Sequence, residues 1–139
     1  MSANVHANVR AATRQRLVGL ASLPAQRAWE GLAFEPTRGT PFLAEALRPI
    51  GSEVRGMGNS GAIAHTIAVS FTLNYPSGQG TLAIEQAAST IMDGFRPGVA
   101  LVYGVQSAIV TKVERTPLRP EPDWIQTTVT ATLIAYTFT

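Results

Sequence analysis

Residues 41–49 read PFLAEALRP, and the fold turns on whether they form a helix or a strand. As a helix, Phe42, Leu43, Ala46, Leu47 and Ile50 recur at helical spacing, and Thr40-Pro41 suits the first turn. As a strand, Leu43 and Leu47 oppose Phe42, Ala44 and Ala46. Local propensity favours the helix.

Downstream the pattern is less divided. Residues 62–74, AIAHTIAVSFTLN, put Ile63, His65, Ile67, Val69, Phe71 and Leu73 on one face. Ala64, Thr66, Ala68, Ser70 and Thr72 take the other, which predicts a strand with one buried side. NYPSGQG is a turn-forming connection, and Thr81 is placed to cap a helix in which Ile84, Ala87, Ala88, Ile91, Met92 and Phe95 share a stripe. Pro97 and Gly98 stop that helix. Residues 105–115 read as a strand with Val105, Ile109 and Val113 beside Ser107 and Thr111. Residues 124–138 read as another. There Ile125 and Val129 oppose Thr128 and Thr130, and Leu133 opposes Ile134, Tyr136 and Phe138, so both faces of its second half call for cover. A loop carrying Pro117, Pro120 and Pro122 joins the two strands.

Upstream, residues 4–22 have helical periodicity, with Val9, Thr13, Leu20 and, at the edge, Leu17 on one side. Arg10 and Arg14 lie on another side, Arg16 borders the apolar stripe, and Val18 points away from it. Pro24 is expected to end this helix.

The chain has 139 residues, the size of one domain. Hydrophobic residues make up 45% and charged ones 14%, against about 25% charged in an average domain. So little charge implies that a partner covers part of the surface. The absence of cysteine removes disulfides and thiolate chemistry. No apolar run approaches the roughly 20 residues of a membrane helix, and no secretory apolar block opens the chain. The net charge of +2 is too small to argue for nucleic acid unless concentrated. It is partly so, since residues 1–29 hold Arg10, Arg14, Arg16 and Arg27 and no acid.

The motifs that suggest chemistry each lack their context. GMGNSG, from Gly56 to Gly61, matches the dinucleotide-binding glycine pattern, but a strand-like segment follows where that site needs a helix. PSGQGT joins a strand to a helix without the lysine of a phosphate loop. His6 and His65 lie in different elements, and His65 reads as a hydrogen-bonded core or interface residue. The acids occur singly, and no serine sits in a nucleophile elbow. No enzyme, cofactor or metal site is expected. Aromatic and basic residues do not interleave as strand-based nucleic-acid binders require.

Between the two helical stripes lies WEGLAFEPTRGTPFLAEALRP, residues 29–49. Trp29-Glu30, Phe34, Pro36, Gly39-Thr40-Pro41-Phe42-Leu43 and Leu47-x-Pro49 follow in order, and Tyr75-Pro76-x-Gly78-x-Gly80 precedes a helix that ends at Phe95. This ordered set resembles the signature of bacteriophage tail terminator-like proteins, similar in fold to the tail terminators of long-tailed phages. The departures are Gly31, where the family commonly has Asn, Phe42, where it often has Tyr, and the glycine-rich link from 50 to 61.

The resemblance implies that 41–49 is a strand paired with 62–74, since pairing overrides propensity. The expected fold is then α+β: a single domain over residues 1–139 with a mixed or mostly antiparallel sheet. The N-terminal and central helices pack on it. Trp29, Phe34, Pro36, Pro41, Phe42, Pro49, Gly78, Gly80 and Phe95 become structural anchors. The aromatic and proline run would be a rigid extended arm. By the same resemblance, the protein is a virion component assembled in the host bacterial cytoplasm. It forms a ring, typically of about six copies, which caps the tail tube and joins it to a neck or head-completion protein. Arg10, Arg14 and Arg16 are the candidates for inter-subunit contacts or for weak, sequence-independent contact with DNA in the lumen. The competing readings are another neck or head-closure protein and a small nucleic-acid-binding α+β module.

Overall fold

In the computed structural model, which describes residues 4–55 and 61–138, two helices share one hydrophobic core with a mixed sheet. The elements run α1 (Val5–Val18), β1 (Gln26–Ala28), β2 (Phe42–Val54), β3 (Ala62–Pro76), α2 (Leu82–Gly94), β4 (Ala100–Tyr103), β5 (Gln106–Arg115), β6 (Arg119–Pro120) and β7 (Trp124–Phe138). The sheet order is β1-β2-β3-β7-β5-β4, with β6 paired to β7. Only β1 and β2 run parallel among the paired strands described; the other pairs are antiparallel. Of the GMGNSG stretch, all but Gly61 lies outside the described residues.

The opening ambiguity resolves as a strand. Residues 42–49 of β2 pair with β3, Leu43 opposite Leu73 and Leu47 opposite Val69. Pairing with the long β3 buries Leu43 and Leu47 in the core they share with residues of both helices, a gain that local helix propensity cannot match. From Ile67 to Leu73 β3 alternates as its letters predict, with Ile67, Val69, Phe71 and Leu73 buried on the side of the helices, but Ile63 and His65 are only half-buried and Ala64 and Ala68 on the other face are buried as well. On α2, Ile84, Ala87, Ala88 and Ile91 face the sheet, and Phe95 just beyond stacks on Phe71 at 5.0 Å between ring centroids.

Several local expectations change. Residues 4–22 are helical only as far as Val18. Gly19 is a poor helix former, and Leu20 leaves the helix to pack on Gly94 so closely that a methyl there would lie 2.8 Å from the leucine side chain. Thr81 occupies the N-cap of α2, but its side chain makes no capping bond. In β5, Ser107, Ile109 and Thr111 face outward while Ala108 and Val110 are buried. A bulge between Val110 and Lys112 then turns Val113 onto the core face, so Val105, Ile109 and Val113 do not share a side. The second half of β7 is covered on one face only: Leu133 and Ala135 are buried, whereas Tyr136 and Phe138 are exposed.

Gly78 and Gly80, in the turn from β3 to α2, have φ of 84° and 82°. This backbone region favours glycine, which accounts for the spacing in the turn. Gly31 has φ of 88°. Asn, which the resemblance leads one to expect there, is the side chain that best tolerates positive φ.

Candidate interaction surface

Glu45 sits between Leu43 and Leu47 on the inward face of β2, and its side chain is fully buried. A lone carboxylate there would be costly, and the fold supplies its partners from α1. Arg14 grips it with two parallel bonds, Nε to Oε2 and Nη2 to Oε1, each 2.8 Å. This carboxylate also raises the Arg14 pKa above its ordinary value, chiefly through these bonds. Arg10 donates to Glu45 Oε1 at 3.4 Å and to Glu30 Oε1 at 2.7 Å.

Glu30 in turn accepts the Leu47 backbone N–H at 2.9 Å, just beyond the point where β1 stops pairing with β2. That bond, followed by Arg10, holds the Glu30 carboxyl below its usual range. Four charged groups from α1, the 29–41 segment and β2 thus clamp the first helix to the edge of the sheet. Arg10 and Arg14 were singled out in the sequence; Glu30 and Glu45 were not assigned to them. An acid alternating with leucines on a strand, and arginines one helical turn apart, are the signals from which the pairing could have been read.

Trp29 is half-buried against the core, with Arg14 5.0 Å above its ring and Arg27 6.0 Å away. Phe34 packs on Phe42 at 5.1 Å, and Phe42 meets Trp124 edge-on at 5.2 Å. The irregular segment 29–41 is therefore held to its own chain by rings. Residues 42–49, in contrast, are regular sheet. Trp124 is an anchor that the sequence reading missed, because the contact depends on the β3–β7 pairing that sets Trp124 beside Pro76. Pro41 is half-buried and Pro36 and Pro49 are exposed, Pro49 at the bulge in β2. Arg16 does not meet an acid; its Nε donates to the Gly94 carbonyl at 3.0 Å, tying α1 to the end of α2. At the first turn of α2, Arg115 binds Glu85 and lowers its carboxyl pKa.

The fold also brings the two histidines together, with ring centroids 5.9 Å apart. Between β2 and β7, His65 Nδ1 lies 2.7 Å from the Ser52 hydroxyl and Nε2 lies 2.9 Å from that of Thr137. Burial, then the neighbouring His6, lowers the His65 pKa. Among the described residues, no group of three or more His, Asp or Glu side chains could hold a metal. An open groove of about 510 Å³ runs past Thr72, Thr128, Gln126 and Leu118. Among the described residues, Arg119 is the groove's one guanidinium and already binds Glu121 at 3.0 Å, and no carboxylate or imidazole lines the groove.

What remains is surface. The face of the sheet opposite the helices is rich in Thr and Ala along β3 and β7, and becomes apolar where β7, β5 and β4 meet.

Residues 8–132 match the model of a family described as phage tail terminator protein. No curated protein matches the chain. One solved structure, with no descriptive name, is similar over 97% of this chain and 96% of its own, with a TM-score of 0.68 at 18% identity. A chain from the virion of a native gene transfer agent particle is similar over 98% of this chain and all of its own, with a TM-score of 0.63 at 15% identity. At these identities the two likenesses speak for the fold.

Proposed function

The chain belongs to the phage tail terminator family, and from that premise we propose that it closes a finished tail tube as a ring of identical copies and offers its other face to the neck. The family match over residues 8–132, nine-tenths of the sequence, is the observation that carries this reading. A phage tail assembly protein needs matching surfaces and no bond chemistry. A head-to-tail ring of one chain supplies two distinct faces, one for the tube and one for the head side.

DNA crossing such a lumen would meet a weakly charged wall. Arg10 and Arg14 are largely neutralised within the chain, and Arg16 has the Gly94 carbonyl. In this reading their inter-subunit or lumen role falls to the parts of each guanidinium left exposed. Such contact is weak and blind to sequence, which suits a channel that must let DNA pass.

Light scattering on the purified protein at rising concentration is expected to reveal a closed species of about six copies. Electron microscopy with purified tail tubes is expected to place it at one tube end. A chain that stays monomeric throughout and leaves tubes uncapped overturns the reading.

A further inference from the structure

The proposed ring needs two faces of one chain that fit each other, and the sheet carries two apolar regions at opposite edges. The first lies on the helix-free side. Ile109 pairs across to Ala100 on one strand and Ile134 on the other, and Val102, Tyr136 and Phe138 continue the same surface. Val105 at the tip of the β4–β5 hairpin is fully exposed, Phe138 is 61% exposed and Tyr136 41%. Taking about 150–250 Å² for a large side chain, the patch exposes on the order of 500 Å², the size of the largest apolar patch a monomer carries, which is often functional. A polar rim would bring it to the roughly 800 Å² per partner of a stable interface.

The second region is the outer part of β2, where Ile50 and Val54 are exposed. Three strands separate β2 from β4, so the two edges stand roughly 19 Å apart and one molecule cannot close them on each other. The edges also differ in protection. Along β2, Glu30 occupies the Leu47 N–H, and Pro49 and a bulge interrupt the ladder. The β4 edge, Ala100–Tyr103, has no charge, no proline and no bulge, and is protected instead by its four-residue length and by α1 packed against it.

We propose that the Ile50–Val54 arm of one copy seats on the β4–β5–β7 patch of the next, making the head-to-tail contact of the assembly. The inference rests on the ring reading and adds the surfaces that build it. A patch-to-patch dimer would bury Tyr136 and Phe138 but leave Ile50 and Val54 bare, whereas the head-to-tail contact uses both regions and repeats around an axis.

The test uses Val54→Asp for the arm and Ile109→Asp for the patch, with Phe138→Asp as a second patch variant should Ile109→Asp melt early. Each variant alone is expected to raise the concentration needed for assembly at least about tenfold, as loss of a central contact does. Mixed together, the arm variant and the patch variant are expected to form a particle of two chains and nothing larger, because each brings the intact half of one contact. Arm variants that assemble as the unaltered protein does, or a mixture that stays monomeric, overturn the proposed contact while the ring reading stands. An unaltered chain that never assembles overturns both.

Discussion

Replacing Glu45 by Ala isolates what the buried carboxylate contributes. The change removes a two-bond grip by Arg14, a longer bond from Arg10 and an acceptor for the Glu30 N–H at 3.3 Å. Breaking a buried pair costs about 3–5 kcal/mol when the surviving charge is trapped. Here the survivors are not trapped, since the Arg10 and Arg14 side chains keep 27% and 31% exposure and can turn to water. The expected loss is therefore nearer about 2–3 kcal/mol, at the level of a few charge-assisted bonds. At roughly 3–5 °C per kcal/mol for a domain of this size, thermal unfolding should shift down by about 6–15 °C. Glu30→Gln is the control: its ion pair is partly exposed, the new amide oxygen can still accept the Leu47 N–H, and the change should cost no more than about 1 kcal/mol. Calorimetry of both variants decides the matter. A Glu45→Ala protein melting within a degree or two of the unaltered one would mean that α1 docks by apolar packing alone.

Two further outcomes follow from packing and protonation. Phe95→Ala empties a fully buried site against Phe71 and should cost about 3–5 kcal/mol by chemical unfolding. Trp29→Ala, half-buried beneath Arg14, should cost clearly less, and the reverse order would contradict the assigned burial. For His65, whose folded pKa is lowered, the unfolded chain takes up the proton first on acidification. Its stabilising contribution is present above about pH 6.5 and is lost as pH falls through the folded value. His65→Gln should flatten the melting temperature between pH 7 and 5, and an unchanged slope refutes the assignment.

How much of this was legible from letters depends on how far away the deciding contact lies. β3 was readable because its alternation is complete and one face is buried along most of its length. Residues 41–49 were not, because Glu45 looks like a helix former until Arg10 and Arg14 are known to reach it from another element. The resemblance supplied the strand that propensity withheld. β5 defeated the period-two reading at Thr111, where one extra residue flips the faces that follow. In α1, the stop at Val18 reflects a contact between Leu20 and Gly94, far apart in the chain.

The most informative disagreement concerns the end of β7. Alternation there puts Leu133 on one face and Ile134, Tyr136 and Phe138 on the other, a pattern that asks for cover on both sides. The folded chain covers only the Leu133 side, with α1, α2 and the neighbouring core residues. An apolar face that the sequence writes as buried, and on which the chain leaves Tyr136 and Phe138 exposed, is the surface on which the proposed head-to-tail contact rests. The same reasoning fits the composition: a chain with 14% charged residues has too few to dress this face as solvent-exposed surface. In a catalytic protein the unexplained residues would be polar and would converge on a cleft. In this chain they are apolar and spread along a sheet face, which is where an assembling protein concentrates its specificity.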